Sequence, residues 1–157
     1  MQTRYPIPAF ARGLALSALL MPFAAFGADK PVAADAVAMV QKGVALVKSV
    51  GKEKAFAEFN DPADKTFHDR DLYIYVYDLH GVSLAHGNNP KLIGKNLIAL
   101  KDVQGKSLIQ EMVDIAKTKG SGWVDFNWPN PLTKAVEPKS GYVERVDDFL
   151  IGCGYYK

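Results

Sequence analysis

A chain of 157 residues is enough for one domain. Its lysines and arginines outnumber its acids by 19 to 17, but Arg4 and Arg12 fall in the first 27 residues, which hold no acid. Beyond them the charges balance at 17 each, so electrostatics offers no case for nucleic acid or an anionic bilayer as partner, and the single cysteine, Cys153, excludes an intramolecular disulfide.

Arg4 and Arg12 precede an uncharged run, Gly13 to Phe26, and Ala25-Phe26-Gly27 puts small residues where a signal peptidase cuts. That order is expected of a secretory signal peptide over residues 1–27, leaving one mature domain over residues 28–157 exported to the periplasm. An uncleaved membrane anchor is the rival reading. The 14-residue run, interrupted by Pro22, falls short of the roughly 20 apolar residues that span a bilayer.

Asp35 to Val50 is expected to be helical. Asp35 can cap the start, and Val37, Val40, Val44 and Val47 recur at three and four residues as one apolar stripe. Gly51 permits a break before a second helical piece, Lys52 to Phe59, and Asn60 to Phe67 carries the turn chemistry of Asn-Asp-Pro. Leu72 to Tyr77 gives the plainest strand pattern, with Leu72, Ile74 and Val76 alternating with Tyr73, Tyr75 and Tyr77. Asp78 to Gly81 turns the chain, Val82 to His86 returns as a hairpin strand, and a long loop follows. Gln104 to Lys119 reads as a helix with one apolar face and Gly120 as its stop. Three strands close the chain, Gly122 to Trp128, Gly141 to Val146 and Phe149 to Tyr156. Hairpin-linked strands with helices collected on one side make an α+β domain on an antiparallel sheet.

Catalytic and metal-binding signatures do not assemble. His68, His80 and His86 lack i,i+4 partners, and His68-Asp69 with Asp71 matches no zinc or calcium loop. There is no nucleophile elbow, phosphate loop or dinucleotide fingerprint, and Cys153 between Gly152 and Gly154 reads as a small buried apolar residue. The expectation is a non-enzyme with no cofactor and no metal. What does assemble is an aromatic face. Tyr73, Tyr75 and Tyr77 share one side of their strand, and His86 ends the strand paired with it. Apolar walls carrying a few hydroxyl and imidazole groups are what a small-molecule pocket needs. On the next strand Val124, Phe126 and Trp128 fall on one face and Trp123, Asp125 and Asn127 on the other. Lys139, placed after a proline-rich loop and three residues before Tyr142, is the cation that would meet a ligand carboxylate.

"DLYIYVYDLHGVSLAHGNNPKLIGKNL", the Asp102-x-x-Gly105 step, "GSGWVDFNWPNP", "PKSGYVERV" and "IGCGYY" follow one another in that order. Together they resemble the single Cache domain family of extracytoplasmic sensor modules, from about Ala34 to Lys157. The resemblance implies a PAS-like fold with a long N-terminal helix, a central antiparallel sheet of about five strands and one ligand pocket roofed by loops and the mid-chain helix. It implies a small organic ligand, a carboxylate or amino-acid-like metabolite, and no catalytic residue. Carried over by position, the pocket draws on Tyr75, Tyr77, His86, Trp123, Phe126, Trp128, Lys139 and Tyr142, with at most one tryptophan touching ligand. In receptors such a domain is followed by a membrane helix and a signalling module. Here the expectation is a free periplasmic binder, or an accessory that presents ligand to a membrane receptor or sensor kinase in chemotaxis-type signal transduction. The alternative is an interaction module whose valine-striped helix pairs with itself as a homodimer or with a receptor.

Overall fold

The computed structural model describes residues 29–157, so the signal peptide and cleavage point expected from sequence lie outside the described residues. Helix α1, Ala33–Val50, begins two residues before Asp35. That carboxylate sits inside the first turn and accepts from the Val32 N–H at 3.0 Å, satisfying one free donor of the helix start. Gly51, at φ 84°, breaks the helix in a conformation that costs other residues strain, and α2, Lys52–Asn60, follows at once.

The tyrosine segment divides into β2, Leu72–Tyr73, and β3, Tyr75–Asp78. The first piece pairs with β1, His68–Asp69, in a small hairpin, and the second joins the main sheet. That sheet has five antiparallel strands in the order β4-β3-β7-β6-β5, where β4 is Ser83–His86, β5 Ser121–Pro129, β6 Val136–Val146 and β7 Phe149–Tyr156. The third helix, α3, is Leu108–Thr118. It starts four residues later than its apolar pattern suggests, because Asp102 folds the approach into a turn. Its Oδ1 accepts from the Gln104 and Lys106 N–H groups at 2.9 and 3.0 Å.

The helices lie on both faces of the sheet, not on one. Alternation decides this, because both parities of the central strands are apolar. Leu72, Ile74, Val76, Phe149, Ile151 and Cys153 turn toward α1 and α2, while Tyr73, Tyr75, Tyr77, Val124, Phe126, Val143 and Leu150 turn toward α3. The valine stripe is consumed inside the domain. Val40, Val44 and Val47 are buried against the sheet with Phe59 and Phe149, which leaves that stripe unavailable for helix pairing.

The change that matters most for function concerns β6. It begins at Val136, five residues earlier than its sequence pattern suggests, and so runs through Pro138 and Lys139. Proline is tolerated because its missing donor would point past the end of β7, where only its carbonyl is used, by the Lys157 N–H at 2.9 Å. Lys139 therefore stands on a central strand facing α3. No helix among the described residues is long and apolar enough to cross a membrane.

Candidate functional site

The α3-facing side of β6 and β7 is unusually low. Gly141, Gly152 and Gly154 all point there, while Cys153 between the last two points into the other core against Met39 (Sγ to Sδ 3.5 Å). The missing side chains are the seat of two others. A Cβ on Gly152 would lie 2.1 Å from the Tyr75 ring, one on Gly141 2.5 Å from its hydroxyl, and one on Gly154 2.9 Å from Lys139 Cε. Gly152→Ala is expected to expel Tyr75 from its place, costing about 1–3 kcal/mol of stability and the shape of the site. Denaturant unfolding with a parallel ligand titration reads both effects.

Above this floor is a small, partly open cavity. Tyr73, Tyr75, Tyr77, His86 and Lys139 line it from the sheet, Phe126 and Trp128 from β5, and Leu108, Ile109 and Met112 from α3 as a roof. The side chains close it to about 10 Å³, room for about one water molecule. The roof is tied down at one edge. Asp102 Oδ2 accepts from both the backbone and the side-chain nitrogen of Asn127, at 2.9 and 3.2 Å, next to Phe126 and Trp128.

The polar groups that face the cavity are donors short of acceptors. Lys139 is 1% exposed and takes part in none of the ion pairs formed among the described residues. Its ammonium stands 3.9 Å over the Tyr73 ring and 4.6 Å from the Tyr156 ring, and its one hydrogen bond, to the Tyr156 hydroxyl, is a long 3.5 Å. Burial drives this amine down from 10.5 to about 7. The Tyr75 hydroxyl is buried with no partner among the described residues. Burial raises Tyr73, Tyr75 and Tyr77, so all three remain protonated. His86 Nδ1 accepts from the Asn89 N–H at 3.0 Å, and burial, with Lys139 nearby, lowers the ring to about 4. A neutral imidazole with Nδ1 occupied as acceptor carries its proton on Nε2, so His86 is a third donor. An amine, a phenol and an imidazole N–H, walled by aromatics, are matched to an anion with two acceptor oxygens.

Of the residues expected from sequence, the structure gathers Tyr75, Tyr77, His86, Phe126, Trp128 and Lys139 around one cavity. It does not bring Trp123 or Tyr142 there. They are cross-strand partners on the opposite face, their rings 5.3 Å apart, with Tyr155 beside Trp123 at 6.0 Å. Strand parity separates Trp123 from Trp128, and placing Lys139 on the strand puts Tyr142, three residues on, across the sheet. Sequence reasoning left out Tyr73, although its parity was visible, and Leu108, Ile109 and Met112, which carried the helix pattern without any sign of what they would cover.

Residues 33–157 match the sequence profile of Single Cache domain 2. The chain belongs to this family. Among curated proteins, the single Cache domain resembles the methyl-accepting chemotaxis protein McpP of Pseudomonas putida, at 32% identity over 91 residues, 57% of this chain and 17% of that protein. It resembles the sensor histidine kinase MctS of Rhizobium johnstonii at 30% identity over 89 residues, 55% of this chain and 19% of that one. The chain thus spans less than a fifth of either relative. Among solved structures, a methyl-accepting chemotaxis protein from Vibrio parahaemolyticus superposes with a TM-score of 0.69 at 28% identity, over 78% of this chain and 86% of the other. A Cache chemosensory domain studied for its carboxylic acid recognition gives 0.60 at 27% identity, over 76% and 82%. The PAS-like α+β architecture expected from sequence is therefore established, and the domain is homologous to segments of a chemoreceptor and a sensor kinase.

Proposed function

We propose that this Cache domain is a periplasmic binding module for a small carboxylate, whose ligand state is read by a membrane signalling partner. The observation that carries the reading is the Lys139 ammonium, buried among aromatic rings with no carboxylate within ion-pair distance among the described residues. Burying a charge without a partner is costly, and a ligand carboxylate would supply the missing one. Tyr75 and the His86 Nε2–H would add neutral donors, and Trp128 with Phe126 would form a wall. The likeness to a carboxylic acid-recognising Cache domain supports the same chemistry. The cavity as it stands holds about one water, so binding any acid requires the α3 roof to yield, and a short acid requires the smallest displacement. The relatives' own roles in chemotaxis and kinase signalling support the signalling partner.

A thermal-shift and calorimetric panel of C2–C6 acids, each beside its uncharged amide, tests the reading. Saturable binding of at least one short acid and none of its amide is expected; stabilisation by the amides alone would contradict it. Tryptophan emission offers a second check, since only one of the two indoles lines the cavity. Ligand-induced change should vanish in Trp128→Phe and persist in Trp123→Phe.

A further inference from the structure

We infer that Asp71 is a positioning residue for this site, holding the charge on Lys139 that an anionic ligand requires; this rests on the carboxylate reading above. Asp71 and Lys139, 3% and 1% exposed, are the two buried residues among those described whose side chains ordinarily carry full charge, and they are opposite in sign. Asp71 sits in the β1–β2 turn two residues before Tyr73, whose ring lies beneath the Lys139 ammonium. The turn is held firmly. Arg70, at φ 55°, spends its guanidinium on Asp69 (2.6 Å) and on the Asp29 carbonyl (2.6 Å). Asp71 Oδ1 is fully buried and has no hydrogen-bond partner among the described residues. Buried carboxylate oxygens are seldom left so without a charge to face.

The groups around the two residues are few. Asp71 shares a recess with Asp29, Lys30, Arg70, Asn130 and Glu137, and the Tyr156 hydroxyl joins that recess to Lys139, accepting from its ammonium at 3.5 Å and donating at 2.7 Å to the carbonyl of Pro129, which precedes Asn130. Lys139 faces Tyr73, Tyr156, His86 and, through the sheet, Cys153. Burial lowers Lys139, and only Cys153 and Asp71, as anions, would oppose that. The thiol is itself pushed up to about 12 by burial and is neutral near pH 7, which leaves Asp71 as the counter-charge; burial raises its carboxyl too, and Lys139 and Asn130 draw it back down. Its effect on a ligand is two-sided. Asp71 keeps the amine protonated and also repels the incoming carboxylate, so the size of the affinity at one pH does not reveal its role, whereas the pH at which Lys139 gives up its proton does.

The test is the 13Cε titration of Lys139 by NMR in the ligand-free protein, compared among wild type, Asp71→Asn and Asp71→Glu. The midpoint should fall by about half a pH unit or more in Asp71→Asn and return toward wild type in Asp71→Glu. Asp71→Ser carries the same comparison if the asparagine variant does not fold. With acetate as probe, the pH above which affinity declines should move down by the same amount. An unmoved Lys139 midpoint, or an acetate affinity changed by one factor at every pH, overturns the inference. Failure of wild type to bind acetate or propionate at any pH would count against the carboxylate reading instead, and the midpoint comparison would still decide the role of Asp71.

Discussion

Replacing Lys139 with methionine is expected to make the domain more stable and to end its binding of carboxylates. At roughly 1.4 kcal/mol per pKa unit, an amine lowered from 10.5 to about 7 marks a cost on the order of several kcal/mol for holding the charged form in the cavity near neutral pH. Methionine fills similar volume without that cost. Part of the gain is lost because Asp71 is then buried without its counter-charge. The net expectation is about 1–3 kcal/mol of added stability, a rise of roughly 5–10 °C in Tm. Binding should fall by about a hundredfold or more, since a charge-assisted hydrogen bond contributes ~1.5–3 kcal/mol and the ligand's own charge would be left buried and unpaired. Stability and function pull apart here because the same buried ammonium, with no carboxylate in ion-pair contact among the described residues, weakens the fold and recognises the ligand. A variant that is less stable yet binds acetate normally would show that Lys139 has a structural role.

The second large effect is on pH. Lys139 is a base whose folded-state value lies below its unfolded one, so the unfolded chain binds more protons between about pH 7 and pH 10.5. Stability should therefore rise from about pH 7 to about pH 9, above which Cys153 and the buried tyrosines, held protonated in the fold, oppose the trend; in the methionine variant the rise should be absent. Ligand affinity should run the other way. Below about pH 7 the free domain already carries the charge. Above it, each complex must take up a proton, and affinity should fall by up to about tenfold per pH unit. His86, near 4, stays neutral through this range and adds no slope. Calorimetry in two buffers of different ionisation enthalpy should show proton uptake on binding at pH 8 and little at pH 6. Affinity that does not change from pH 6 to pH 9 would mean that the amine is not the ligand's partner.

How much of this was legible before the structure varies with the range of the interaction. Alternation placed Tyr73, Tyr75 and Tyr77 on one face and separated Trp123 from Trp128, because side-chain direction along a strand is a local matter. The start of β6 was not legible. Val136 to Ser140 contains Pro138 and two charged residues, a loop-like composition, and it becomes strand because β5 on one side and β7 on the other supply partners. That single difference puts Lys139, expected in the pocket from beside a loop, on the cavity floor as a strand residue, and turns Tyr142 away from it. The "IGCGYY" step showed small residues without showing what they made room for. Only the neighbouring strands reveal that Gly152 and Gly154 admit Tyr75 and Lys139. Asp71 gave no sequence signal, since its burial depends on the fold of β1, β2 and β6 together.

The most direct measurement is an acetate titration of 13Cε-lysine-labelled protein, following Lys139 by NMR at pH 7.5. If the amine is the anion's partner, its resonance will move saturably toward the charged form as acetate binds, and its titration midpoint will rise above the value of the free domain. If acetate binds while that resonance stays where it was, the carboxylate is held elsewhere and the central claim fails.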